Sequence, residues 1–94
     1  MNTKSKPNIY KQAQHFADVT KTLIAKGNIN RAKKCLQIAE EIFVNGTSEV
    51  KNAISNIYLY SVSSFMEIHN CNIKGLLPAS LQKEYIKQVN ASGL

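Results

Sequence analysis

From Ile9 onward, apolar side chains return every three or four positions: Ile9, Ala13, Phe16, Ala17, Thr20, Leu23 and Ile24. Lys11, Gln12, His15, Asp18, Lys21 and Thr22 fall largely on the other side. This spacing predicts an amphipathic helix over roughly 8–26. Lys26-Gly27 closes it, because a cation suits the negative end of a helix dipole and glycine accepts the left-handed conformation. Asn28 or Asn30 can cap the next helix, predicted over roughly 29–44. Its apolar stripe is Ile29, Ala32, Cys35, Leu36, Ala39, Ile42 and Phe43, with Lys33, Lys34, Gln37, Glu40 and Glu41 outside. A connection as short as Gly27–Ile29 requires the two helices to lie antiparallel and adjacent.

A third helix, over roughly 48–69, starts from Thr47 or Ser48 with Glu49 favourably placed in its first turn. It carries two stripes. One is Val50, Ala53, Ile54, Ile57, Tyr58, Ser61, Phe65 and Ile68; the other is Leu59, Val62 and Met66, with Tyr60 interleaved. A helix with two apolar sides and no charge between Lys51 and Glu67 is expected to be central, covered by neighbours or by a second chain. Residues 69–75 read as an Asn- and Gly-containing loop. Pro78 fits the first turn of a last helix over roughly 78–90, whose apolar face is Leu81, Tyr85, Ile86 and Val89. No alternation persists long enough to predict a strand.

The length of 94 residues allows one domain, expected over 8–90 between a disordered tail at 1–7 and fraying residues at 91–94. An apolar content of 44% and a charged content of 19% are values of a folded chain. No apolar run is long enough to span a bilayer, and the polar start lacks the apolar centre of a secretory signal. Cys35 and Cys71 are too few for a disulfide framework, so the expected location is cytoplasmic. Charge changes the picture more. Residues 1–34 hold eight Lys or Arg against the single acid Asp18, within a net +6. A basic front half speaks to acidic partners, not to fold.

Phe16, Val19, Thr20, Leu23, Ala32, Leu36 and Ala39, with Gly27 at the turn, follow the spacing of a tetratricopeptide unit. The segment resembles that family. Phe stands for Trp, Val for Leu, Thr for Gly and Leu for Tyr, and no proline closes the unit near Val44. Val50, Ala53, Ile54 and Ile57 begin a second period that Ser61, Met66 and Asn70 do not complete. The resemblance implies peptide or protein binding on helix faces. A lone unit lacks the concave groove that about three stacked repeats provide. The overall layout also resembles small bacterial all-helical domains, which implies a fold and no activity.

Candidate chemistry is sparse. His69 and Cys71 are potential zinc ligands, but a structural site needs four, and Cys35 belongs to an apolar helix stripe. Cys71 beside His69 has no third group or oxyanion donor for nucleophilic catalysis. Glu40 and Glu41 diverge around a helix and do not form a carboxylate pair. The glycines are isolated, so no phosphate loop exists. Lys26, Arg31, Lys33 and Lys34 gather about one turn and are the candidate nucleic-acid contacts, although a single Arg and no interleaved aromatics argue against specific readout. Tyr58, Tyr60 and Met66 are the candidate contacts to a protein partner, aromatics and Met being frequent at such surfaces. Tyr58 and Tyr60 point to different faces, so one of them must meet something other than the core.

These patterns predict an all-α array of four helices, with an antiparallel tetratricopeptide-like hairpin and a central third helix. The expected function is a non-enzymatic protein-interaction module without cofactor or metal, acting on a partner or as a homodimer. The alternative is an accessory nucleic-acid binder using the basic half.

Overall fold

The structure, a computed structural model, describes residues 8–69 and 73–91. The expected disorder of 1–7, the fraying beyond Ala91 and the loop thiol of Cys71 lie outside these residues. The described residues form helices and short connections, with no strand among them. The first helix is Ile9–Ala25 and the second Ile29–Asn45. The third runs without interruption over 48–68, in three stretches: Ser48–Ala53, Ile54–Leu59 and Tyr60–Ile68. A single helical turn, Ile73–Leu76, stands where the sequence predicts loop, and the terminal helix is Ala79–Ala91.

Side-chain caps set the helix starts. Asn8 Oδ1 accepts from the backbone N–H of Tyr10 at 2.9 Å and of Lys11 at 3.2 Å. Thr47 Oγ1 accepts from Val50 N–H at 3.3 Å. Each cap satisfies donors that have no partner in a first turn. Between the first two helices the chain reverses through a Schellman closure. Asn28 N–H donates to the Leu23 carbonyl at 2.8 Å and Gly27 N–H to that of Ile24 at 3.0 Å, with Gly27 at φ +77°. Asn28 then caps the second helix through Arg31 N–H at 3.4 Å.

The first two turns use glycine for different reasons. A Cβ on Gly27 would meet nothing within 4 Å, so only its positive φ resists substitution. Gly27→Ala is therefore expected to cost about 1–2 kcal/mol, read as a lower denaturation midpoint with an unchanged helical spectrum. Gly46 has ordinary extended angles, but a Cβ there would lie 2.6 Å from the Ile42 carbonyl oxygen and 2.7 Å from the Val50 side chain. Close approach of the second and third helices requires it.

The third helix packs against the first, the second and the terminal helix and is the centre of the fold. Its middle stretch, Ile54–Leu59, is π-helical, with more residues per turn than the flanking α stretches. The sequence pattern does not announce this, and it decides which stripe is buried. Ile54, Tyr58, Val62 and Met66 are all buried and recur every fourth residue. On a plain α-helix each four-residue step drifts by about 40°, so that set would wind away from the core. The wider π turn cancels the drift. Leu59, Val62 and Met66 therefore take the core, and the first predicted stripe rotates outward until Ile68 is 76% exposed.

Five buried alanines, Ala13, Ala17, Ala32, Ala39 and Ala53, let the helices approach closely. Leu36, Leu59, Val62, Met66 and Leu81 fill the remaining space. Tyr58 lies at the centre, fully buried, its ring stacked on Phe16 with centroids 4.9 Å apart. Its hydroxyl is 2.9 Å from that of the buried Thr20, which also donates to the Phe16 carbonyl at 3.0 Å. Several expected core positions lie on the surface instead: Ile29, Ile42, Ile86 and Val89 are exposed and Cys35 is half-buried. These helices bury a narrower stripe than their apolar residues would allow, because only one neighbouring layer covers each of them.

Polar contacts dock the terminal helix. Pro78 precedes its first turn and offers no side-chain acceptor, and Glu40 of the second helix substitutes. Its two carboxylate oxygens accept from Ser80 N–H and Leu81 N–H, each at 3.1 Å. Glu40 is thus half-buried at an inter-helix contact and not on the solvated face where its spacing placed it.

Candidate interaction surface

The three residues read from sequence as partner contacts do not share a surface. Tyr58 and Met66 are fully buried, inside the turn shift made by the π stretch, and neither can touch a partner. Tyr60 is 64% exposed and borders two grooves. Glu67 and Tyr85 border one of them, Ile57 and Phe65 the other. Tyr85 donates its hydroxyl to Glu67 Oε2 at 2.5 Å, and this carboxylate holds the phenol above its ordinary pKa. Burial raises the Tyr58 phenol too, partly opposed by the hydrogen bond with Thr20.

A second polar cluster joins the π stretch to the terminal helix. Ser55 Oγ donates to Glu84 Oε2 at 2.6 Å, and Gln88 Nε2 donates to the Ser55 carbonyl at 2.8 Å and to its Oγ at 3.0 Å. Gln88 thereby supplies a side-chain partner to a main-chain acceptor within the widened turns. The Ser55 hydroxyl gives its proton to the Glu84 carboxylate and accepts from the Gln88 amide, so its bonds are spent between the third helix and the terminal one. Its role here is to lock two helices. Three or more His, Cys, Asp or Glu side chains do not converge anywhere among the described residues.

Lys26, Arg31, Lys33 and Lys34 are all exposed, around the turn that joins the first two helices. Among the described residues the one ion pair is Lys21 with Asp18, at 3.3 Å, and none of the four cations pairs with a described acid. All four lie on the surface.

A more apolar concavity lies elsewhere. Ile9, Gln12, Ala13 and Phe16 of the first helix face Ile38 and Ile42 of the second across Val50, Ala53 and Ile54 of the third. They enclose a groove of about 390 Å³ in which Gln12 alone carries a polar side chain. Ile38 and Ile42, one turn apart on its wall, are 50% and 39% exposed. The sequence reading missed Ile38, which lies off the main stripe of the second helix. The available signal was an Ile38–Ile42 pair at i, i+4 beside a stripe that already suffices for a core.

No helix among the described residues is long and apolar enough to cross a membrane. What the fold and surface define is a small all-helical domain around a central third helix, with an apolar groove and a basic turn. The chain belongs to the family described as a domain of unknown function, DUF7674, whose model matches residues 1–91. No curated protein and no solved structure matches it.

Proposed function

We propose that the protein is a non-enzymatic interaction module that binds a protein partner through the groove between its first and second helices. The observation that carries this reading is the groove itself, apolar on three sides, with Ile38 and Ile42 left half in solvent. Contiguous exposed apolar surface in a concavity is costly to keep unless something covers it. The likeness of Phe16–Ala39 to a tetratricopeptide unit supports the same reading, because such units present helix faces to other chains. Exposed Tyr60 is a separate, smaller contact on the third helix.

The test is affinity capture of the tagged chain from its host's lysate, with Ile38→Glu beside the unaltered protein. A charge in the groove is expected to reduce a retained partner at least tenfold, since a buried unpaired carboxylate costs several kcal/mol. Retention unaffected by Ile38→Glu would sink the groove. A second reading, nucleic-acid binding, is favoured by the four unpaired cations at the turn. It predicts retention that disappears with nuclease, with raised salt or with Lys33→Glu/Lys34→Glu, while Ile38→Glu is silent.

A further inference from the structure

The lining of the groove reaches Phe16 and Ile38, and the helix faces that carry these residues run on toward the first turn. On the first helix Gln12, Phe16, Val19 and Leu23 succeed one another at steps of three and four residues and so ascend one side. Val19 is exposed and Leu23 half-buried, and Lys26 follows at the next step of three. On the second helix the same steps run from Ile42 through Ile38 to Lys34 and Arg31. The antiparallel hairpin brings Lys26, Arg31 and Lys34 to one end of this face and leaves Ile9 and Ile42 at the other. From Ile42 to Arg31 is eleven residues, or about 16 Å of helix rise.

The charge along this face has a direction. The turn end holds three exposed cations with no ion-pair partner among the described residues. The only acid before residue 35, Asp18, is paired with Lys21. Glu40 is committed to capping the terminal helix. Glu41, exposed, adjoins Ile42 at the groove end. A ligand laid along the face meets apolar surface first and positive potential after about two turns.

We propose that the groove and the basic turn form one binding face for an amphipathic helix of about three turns, apolar along one stripe and acidic at one end. The proposal rests on the interaction reading above and adds the partner's chemistry and direction. A second copy of this chain, at net +6, brings like charge to the basic end, and a nucleic acid has no use for the groove. Like-charge repulsion and an unfilled apolar pocket thus disfavour both alternatives, whereas an acid-ended helix satisfies both halves of the face.

The experiment uses synthetic 15-residue helical peptides sharing one leucine stripe at i, i+4, i+7 and i+11. Each ends in three Glu, three Gln or three Lys, and the Glu peptide is made with its acidic end at either terminus. Binding to the full chain is read by fluorescence anisotropy, with circular dichroism to confirm that each variant is folded. One Glu peptide is expected to bind about tenfold tighter than the Gln peptide at low salt, with the advantage lost near 1 M salt, where screening acts within about 3 Å. Arg31→Glu/Lys34→Glu should bring the Glu peptide to or below the Gln peptide, and Ile38→Glu should weaken both peptides. Equal binding of Glu and Gln peptides, both abolished by Ile38→Glu, would overturn the proposal and leave the groove reading intact. Binding of none of them would overturn both. Displacement of the Glu peptide by an oligothymidine would assign the basic turn to nucleic acid instead. A doubling of mass with concentration, removed by Ile38→Glu, would assign the face to a second copy.

Discussion

Tyr58→Ala is expected to lower the stability of the protein by about 3–5 kcal/mol, the usual cost of emptying a large buried aromatic site. The ring is fully buried, stacks on Phe16 and lies at the centre of the third helix. Against a total of about 5–15 kcal/mol, such a loss leaves a small domain near the edge of folding at ordinary temperature. Tyr58→Phe isolates the hydroxyl and is expected to cost only about 1 kcal/mol, since Thr20 keeps its bond to the Phe16 carbonyl. Denaturant midpoints of the two variants check both values. An unchanged midpoint for Tyr58→Ala, with loss of partner binding, would place this ring on a surface and refute its position in the core. The same residue makes the fold sensitive to alkali. Burial raises the folded-state pKa of Tyr58, and Glu67 raises that of Tyr85, above the ordinary phenol value near 10. For a raised pKa the stabilisation is complete below the unfolded value and is lost as pH climbs toward the folded one. Stability should therefore be insensitive to these phenols at neutral pH and fall above about pH 10. In Tyr58→Phe the alkaline fall should be shallower.

Glu40→Ala is expected to cost about 2–3 kcal/mol, because two hydrogen bonds to a charged acceptor are removed together. The carboxylate serves the terminal helix as both cap and counter-charge, which its own sequence cannot supply with Pro78 at the preceding position. Loss should be local before it is global. Amide exchange is expected to rise first in Ala79–Ala91, and then around Ser55, which Gln88 and Glu84 hold from that helix. Glu40→Gln keeps acceptor geometry in part and should fall between the two proteins. Uniform exchange across all helices in Glu40→Ala would show that the cap does not separate the terminal helix from the rest.

The hairpin was legible because each of its signals is local. Ile9 through Ile24 repeat at helical spacing, Gly27 supplies the left-handed angle, and Asn28 lies within three residues of the N–H it caps. The all-helical class follows from such repeats, as do the starts at Ile29 and Thr47. The candidate surface was less legible. Lys26, Arg31 and Lys34 lie within one turn of the hairpin, so their grouping follows from spacing. Ile38 lies off the stripe predicted to be buried, and its part in a groove depends on the first and third helices that face it. Tyr58 and Met66 were read as partner contacts from residue type, on a helix whose two apolar stripes leave open which side its neighbours cover. The π stretch breaks the α-helical period, and its anchors, Glu84 and Gln88, lie some thirty residues away.

The sequence by itself determined that this chain makes helices and where most of them begin. Those outcomes depend on backbone preferences and on side chains within a few residues of one another. The tertiary structure alone decided that the third helix widens into a π turn, that Tyr58 is core while Tyr60 is surface, and that Glu40 belongs to a helix forty residues away. It also decided that Ile38 and Ile42 line an open groove. These depend on which surfaces meet after the chain has closed, and no local pattern encodes the distance between residues brought together by three separate turns.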